Sequence, residues 1–219
     1  MQEQRVIAVI RRTLAAFGLL LAIALCPTGQ AQAAGLAGAG EVTPVGYARN
    51  VVAALSVKRT DGRVEVFRGE GSLPLFEGDE CRTEKGAKAF IKLVDGTLVA
   101  LNDETIFVVK VRWQRELVTQ IFHLVQGEIW VKTNGPKALE VETPVAVAAI
   151  TKTEFDIRVL PDGNTILTVM EGLVEFGTPF GTCPIPAGKR SVGERGKKCT
   201  KPATASPGEV KAWIADVVR

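Results

Sequence analysis

The stretch Leu75–Val99, LFEGDECRTEKGAKAFIKLVDGTLV, contains the strongest indication of the fold. Ala89, Ile91 and Leu93 alternate with Phe90, Lys92 and Val94. This is typical of a strand because successive side chains point to opposite faces. Asp95-Gly96 follows directly. This dipeptide favours a tight hairpin turn because glycine readily adopts positive φ. The stretch therefore predicts two antiparallel strands joined at Asp95-Gly96.

Similar turns recur along the chain. Asp61-Gly62, Asn134-Gly135 and Asp162-Gly163 offer the same turn chemistry between short strand-like runs. No window with helical spacing occurs from Leu55 to Val192. We therefore expect an all-β fold, either a short-stranded β-solenoid-like domain or a two-layered β-sandwich, flanked by a cleaved N-terminal signal helix and a short C-terminal helix.

Several short motifs occur in an order that resembles the FecR-type domain. They are Gly78-Asp79 ahead of Thr83 and Gly86-Ala87, LVQGEIWV at 124–131, ETPVA at 142–146, TEF at 153–155 and VMEGLV at 169–174. The resemblance covers roughly Leu55 to Val192 and implies a twisted, solenoid-like β-domain on the periplasmic side of a sigma-factor regulator. The chain departs from the family pattern at Lys152, where the family usually has glycine. We expect a stand-alone exported member that lacks the family's cytoplasmic anti-sigma segment.

The N-terminal sequence has the pattern of a secretory signal. Arg5, Arg11 and Arg12 precede the apolar run Thr13–Leu25, and small residues end at Ala31-Gln32-Ala33. The run is shorter than the about 20 residues of a membrane span. We predict that residues 1–33 are a signal peptide removed before Ala34, which places the protein in the periplasm or outside the cell without stable membrane insertion. An uncleaved membrane anchor is the alternative.

Charge argues against a nucleic-acid partner. The chain has 27 basic and 24 acidic residues, and removal of residues 1–33 leaves 24 and 23. Nucleic-acid binding requires clustered basic residues without compensating charge. One basic cluster occurs late in the chain, and we predict either a solvated loop or contact with an anionic surface such as lipid headgroups or cell-wall polymer. Its members are Lys189, Arg190, Arg195, Lys197, Lys198 and Lys201.

Three cysteines remain after the predicted cleavage, and an exported chain can form disulfides. Cys183 and Cys199 bracket a short polar loop, so we predict that they pair and that Cys81 stays unpaired. Closing such a loop contributes about 3 kcal/mol to stability in the chain-entropy model.

The C-terminal tail follows a different pattern. Residues 34–54 are predicted as a flexible leader and approach to the first strand, 55–192 as the β-domain and 193–205 as a basic polar linker. Residues 206–219 begin with Ser-Pro-Gly-Glu, a helix-capping pattern. Val210, Trp213, Ile214 and Val217 then form one apolar stripe at helical spacing. A helix this short is marginal alone, so we expect it to dock on the β-domain. A second protein or a membrane surface is the alternative.

Catalytic and metal-binding patterns are weak in this sequence. His123 is the only histidine, and we interpret it as a hydrogen-bonded structural residue. No cofactor, metal site or catalytic residue is predicted, so we expect a non-enzymatic protein. Trp113 lies among polar residues and is the predicted contact residue for a partner. The sequence favours a binding or scaffolding module of the bacterial cell envelope, whose partner is a protein or an envelope polymer. A membrane-anchored accessory of a signalling or transport complex is the alternative.

Overall fold

A computed structural model describes residues 43–114, 117–134, 138–206 and 208–218. The predicted signal peptide and residues 34–42 of the predicted leader lie outside these ranges. Within them the backbone forms sixteen strands and one helix. That helix is too short to cross a membrane, and the described residues contain no other helix that is long and apolar enough to do so.

Short turns connect most of the strands. The first eight are β1 (Gly46–Lys58), β2 (Val64–Gly69), β3 (Leu73–Leu75), β4 (Glu80–Thr83), β5 (Lys88–Leu93), β6 (Leu98–Leu101), β7 (Ile106–Gln114) and β8 (Leu117–Lys132). The others are β9 (Leu139–Glu142), β10 (Val147–Ile150), β11 (Glu154–Val159), β12 (Thr165–Glu171), β13 (Leu173–Thr178), β14 (Gly181–Pro186), β15 (Lys189–Gly193) and β16 (Ala203–Thr204). The helix α1 spans Gly208–Ile214.

The strands pair into two sheets that share β1 and β8. Sheet A has the order β3-β1-β5-β6-β8-β11-β12-β15-β16. Sheet B has the order β2-β1-β4-β7-β8-β9-β10-β13-β14. In these pairings β8 and β9 are parallel and the other neighbours are antiparallel. The all-β prediction is confirmed, and the two sheets correspond to its two-layered alternative.

Glycine allows β8 to turn from one sheet into the other. Gln126 still pairs in sheet B, whereas Gly127 pairs with Val159 in sheet A. Gly127 has φ of 86°. A Cβ at this position would lie 2.3 Å from Oγ1 of Thr105, closer than real Cβ contacts come. The bend therefore needs glycine for both its backbone conformation and its close approach.

Inward side chains of both sheets form one apolar core. Phe107 on β7 and Phe122 on β8 pack edge to face, with ring centroids 5.1 Å apart. Phe155 and Ile157 on β11 enter the same core and are fully buried. Because side chains alternate along a strand, the intervening residues of sheet A lie on its outer face.

A corner built from two threonines occurs twice. The backbone N–H of Thr83 donates to the carbonyl of Thr105 at 3.0 Å, and the N–H of Thr105 donates to Oγ1 of Thr83 at 3.0 Å. Thr133 and Thr153 repeat this arrangement at 3.0 and 2.9 Å. Lys152 precedes Thr153 with φ of 51°, so it adopts the left-handed conformation that the family's glycine would adopt readily.

The element boundaries differ from the predicted ones at both ends. β1 begins at Gly46, so part of the predicted leader 34–54 belongs to the first strand. The predicted linker 193–205 contains the end of β15 and the short β16. The predicted tail helix is shorter in the structure and ends at Ile214. The two strand shifts arise because pairing with existing sheet edges extends strands beyond the ends of the alternating pattern.

Candidate functional site

The outer face of sheet A carries a row of directly opposed residues. Trp130 on β8 lies opposite Asp156 on β11, Asp156 opposite Thr168 on β12, and Thr168 opposite Arg190 on β15. In the other direction Trp130 lies opposite Ala100 on β6. Opposed residues point to the same face, so this row runs from an apolar to a polar half.

Helix α1 packs on this face. Val210 and Val217 are buried and form a second apolar cluster with Ala100 and Trp130. Partly buried side chains from the sheet and the tail complete the cluster: Phe90, Leu98, Met170, Trp213, Ile214 and Val218. The predicted docking on the chain's own β-domain is therefore present, and all four residues of the predicted stripe take part.

Polar contacts attach the tail to the sheet at two further points. Nδ2 of Asn50 donates to the carbonyl of Val217 at 3.4 Å. Nζ of Lys88 donates to the carbonyl of Trp213 at 3.4 Å and forms an ion pair with Asp216. These contacts use β1 and β5, so the tail is held by apolar packing and by polar contacts at its C-terminal end.

Asp156 is the most perturbed acid of this face. Only 3% of the residue is exposed. Burial raises its pKa well above the usual value, because an ionised carboxylate there would lose its hydration, and the charge and hydrogen bond of Glu128 raise it further. Arg158 and Trp213 lower the pKa, with smaller effects. A perturbed acid beside a cavity makes this face a candidate functional site.

The space beside Asp156 is a cavity of about 220 Å³ between sheet A and the tail. Its walls include Glu128, Asp156, Arg158, Arg190 and Trp213. A second cavity of about 350 Å³ lies next to it and shares Glu128 and Arg158 as walls. The two arginines are exposed at the rim, whereas Asp156 is buried at the base. The arrangement is a small polar site with both charge signs.

The structure joins Cys183 to Cys199, with their Cα atoms 6.2 Å apart, in agreement with the predicted pairing. Cys81 is unpaired and buried on β4. Burial raises the pKa of its thiol to about 12, so the reactive thiolate is disfavoured.

The predicted basic cluster is divided between two settings. Lys189 and Arg190 lie on β15, and Arg190 reaches the cavity described above. The remaining members are exposed after β15, where Lys197 pairs with Glu194. Five of the six basic residues therefore stay outside the cavity.

Two other predicted residues lie on the long hairpin β7–β8. His123 faces Glu142 across the β8–β9 pair, with Nδ1 3.2 Å from Oε2. The backbone of Trp113 lies in β7, but its side chain is outside the described part of the chain. Its predicted role as a contact residue stays a prediction.

Sequence reasoning missed Asp156. It lies between Phe155 and Ile157. In an alternating strand such a position predicts a side chain on the solvent-exposed face, where an acid is common. The available signal was the Asp-x-Arg spacing, which places Asp156 and Arg158 on one face of a strand. Only the docked tail shows that this face is covered.

The family model of FecR protein matches residues 79–175. No curated protein matches the sequence. Two crystal structures of a protein from Parabacteroides distasonis, described as a candidate anti-sigma factor, share the fold at 20% and 19% identity with TM-scores of 0.52 and 0.53. Each alignment covers 62% of this chain and 64% or 63% of that protein, so the chain spans less than two thirds of its length.

The family match and the fold agree on the same region. Residues 79–175 run from the start of β4 into β13, and they include both threonine corners as well as Asp156. The FecR-type resemblance of the sequence is thereby confirmed over residues 79–175, which match the FecR family model.

Proposed function

We propose that this protein is an exported, non-enzymatic FecR-domain module that binds a protein or polymer partner in the bacterial cell envelope. The FecR match over residues 79–175 is the observation that carries the proposal, because in the best-known members of this family the domain lies on the periplasmic side of the membrane. The N-terminal pattern supports export: a positive start, a short apolar run and the Ala31-Gln32-Ala33 site.

The non-enzymatic part of the proposal has support from His123. The imidazole is held by Glu142 at 3.2 Å and is half-buried on a sheet. It lines neither cavity on the outer face of sheet A. A structural role accounts for its position without an acid–base reaction.

A second candidate function is a membrane-anchored accessory of an envelope signalling or transport complex. Likeness to a candidate anti-sigma factor favours a signalling context for this alternative. The two candidates differ in whether residues 1–33 remain attached, since an uncleaved apolar run would tether the domain to the membrane.

Fractionation and N-terminal sequencing test both candidates. The full chain with a C-terminal tag is expressed in a bacterial host, and each fraction is sequenced from its N-terminus. A product that begins near Ala34 in the periplasm or medium supports the exported module. An intact Met1 in the membrane fraction supports the anchored accessory, and a product confined to the cytoplasm would contradict both.

The partner is then sought by cross-linking in the envelope of the native host. A photoreactive residue at Val147, which is exposed on β10, reports contacts of sheet B. The matched control carries the photoreactive residue at Val94, which is exposed in the turn after β5. We expect one discrete product that depends on the labelled position, because a specific interface involves one surface patch. Identical products from both positions would contradict a defined partner site.

A further inference from the structure

A second surface of the molecule combines exposed apolar side chains with basic ones. Phe180 lies in the turn between β13 and β14 and is 60% exposed. An open groove of about 440 Å³ lies beside this turn, with walls that include Pro144, Val147 and Pro179. Because Pro179 directly precedes Phe180, the turn and the groove form one apolar patch. A contiguous apolar patch on a protein surface is a typical interaction site.

The basic loop after β15 is held against this turn by hydrogen bonds and by the disulfide. The hydroxyl of Thr178 donates to the carbonyl of Lys197 at 2.8 Å and accepts from the N–H of Phe180 at 3.2 Å. The Cys183–Cys199 bridge also joins the loop to β14. The turn and the loop therefore form a single, cross-linked surface.

This arrangement places basic side chains beside the apolar patch. The aliphatic carbons of Lys198 lie 3.1–3.3 Å from the point that a Cβ on Gly181 would occupy, so its stem covers the end of the turn. Nη2 of Arg195 lies 3.9 Å from the corresponding point on Gly163, and Cβ of Pro144 lies 4.0 Å from the same point. Both basic side chains are exposed. Cations therefore lie next to the patch at two places.

The loop has an excess of positive charge. Residues 194–201 contain four basic residues and one acid, a net charge of +3. Within the loop Glu194 pairs with Lys197. Asp162 and Glu142 border the patch and reduce the positive charge without reversing it. The surface therefore attracts anionic partners.

A lipid bilayer suits this combination of groups. An aromatic ring can enter the boundary between headgroups and acyl chains, while lysine and arginine contact anionic headgroups. A lysine stem lies on apolar surface and keeps its ammonium group in the polar layer. We propose that this surface docks reversibly on an anionic bilayer, with Phe180 entering the interface and Arg195 and Lys198 contacting phosphate groups. The proposal goes beyond the partner-binding function argued above and does not depend on it.

Co-sedimentation with vesicles tests the proposal. The chain from Ala34 is used, because the apolar run within residues 1–33 would itself bind vesicles. This chain contains the compact unit Gly40–Arg219. The anionic vesicles contain phosphatidylglycerol and phosphatidylcholine in equal parts, and the neutral vesicles contain phosphatidylcholine alone. We expect binding to anionic vesicles that weakens as salt rises, and about 25-fold weaker binding to neutral ones, since two cations each contribute about fivefold.

Variants separate the patch from general attraction between charges. Lys198→Gln should weaken binding to anionic vesicles about fivefold, and Phe180→Ser should weaken it about tenfold. The matched controls are Lys85→Gln, in the exposed turn before β5, and Val64→Ser, at an exposed position of β2 on the other edge of sheet B. Both controls should bind like the wild type. Equal weakening by a variant and its control would overturn the proposal.

Fluorescence separates entry into the bilayer from charge attraction alone. Phe180→Trp places a reporter at the tip of the turn, and Val64→Trp places one at the control position. We expect lipids brominated on their acyl chains to quench the added emission of Phe180→Trp but not that of Val64→Trp. Equal quenching at the two positions would overturn the proposal. Absence of binding to anionic vesicles would also overturn it and would leave an acidic protein segment as the partner class, while the export and partner tests would be unaffected.

Discussion

Arg59 and Asp79 form an ion pair in which the side chains are only 8% and 3% exposed. Arg59 follows β1, and Asp79 belongs to the Gly-Asp motif that precedes β4. The guanidinium also donates to the carbonyl of Pro74 at 2.9 Å, and the carboxylate accepts from the N–H of Phe76 at 2.7 Å. The family's Gly-Asp motif therefore has a structural role at the edge of the domain.

Asp79→Ala should lower the free energy of unfolding by about 3 kcal/mol, because it removes one of the two carboxylates paired with the buried Arg59, leaving only Glu65, and takes the acceptor from the N–H of Phe76. Urea denaturation of the mature protein measures the change. The matched control is Asp61→Ala, which removes an exposed ion pair with Arg63 and should have a much smaller effect. Equal midpoints for the two variants would contradict a structural role for the buried pair.

Lys152→Gly should stabilise the protein by about 1 kcal/mol, because a non-glycine residue pays a steric cost at φ of 51°. Thermal melts compare it with Lys92→Gly, at an exposed position of β5, where glycine should destabilise by about 0.5–1 kcal/mol. A lower midpoint for Lys152→Gly would contradict this prediction. It would mean that the lysine side chain stabilises the protein by more than its backbone conformation costs.

The charge state of Asp156 should make stability depend on pH. Its folded pKa is raised, so the native state keeps a proton that the unfolded state releases, and stability falls as pH rises from about 4. Asp156→Asn should remove this part of the slope. Denaturant midpoints at several pH values measure the slope of stability against pH. Glu175→Gln, at an exposed position of β13, is the control. An unchanged slope in Asp156→Asn would show that the carboxyl ionises normally in the folded protein.

Trp213→Ala should lower stability by about 2 kcal/mol. The sequence alone favours about 3 kcal/mol, the low end for a buried aromatic residue. The smaller value follows from the structure, in which Trp213 is half-buried rather than fully enclosed. Thermal melts of the mature protein give the result, and an unchanged midpoint would end the self-docking interpretation of α1.

Removal of the Cys183–Cys199 bridge should cost about 3 kcal/mol, as expected for closing a loop of 16 residues. The double variant Cys183→Ser/Cys199→Ser is compared with the oxidised wild type. Cys81→Ala controls for the loss of a thiol outside the bridge. Peptide mapping without reduction identifies the bonded pair, and a bridge to Cys81 would contradict the pairing seen here.

Local signals predicted most of the fold. Asp95-Gly96 and the alternation around it correspond to the β5–β6 hairpin, and the stripe from Val210 to Val217 corresponds to the docked tail. The order of the FecR-type motifs along the chain was enough to predict where the β-domain lies. Each of these features depends on residues close together in sequence.

Long-range features could not be predicted in the same way. The opposition of Asp156 to Trp130 depends on the register of β11 with β8, and its burial depends on a helix more than fifty residues later in the chain. The partnership of Arg59 with Asp79 likewise depends on how β1 meets β4. Sequence spacing places a side chain on a face but does not say what covers that face.

The sharing of β1 and β8 by both sheets has a mechanical consequence. A pull on the N-terminal end of β1 would act on its pairing with β3 and β5 in one layer and with β2 and β4 in the other. Sliding of one layer over the other would stretch both shared strands. We expect such a domain to resist shear and to yield in one large step under force.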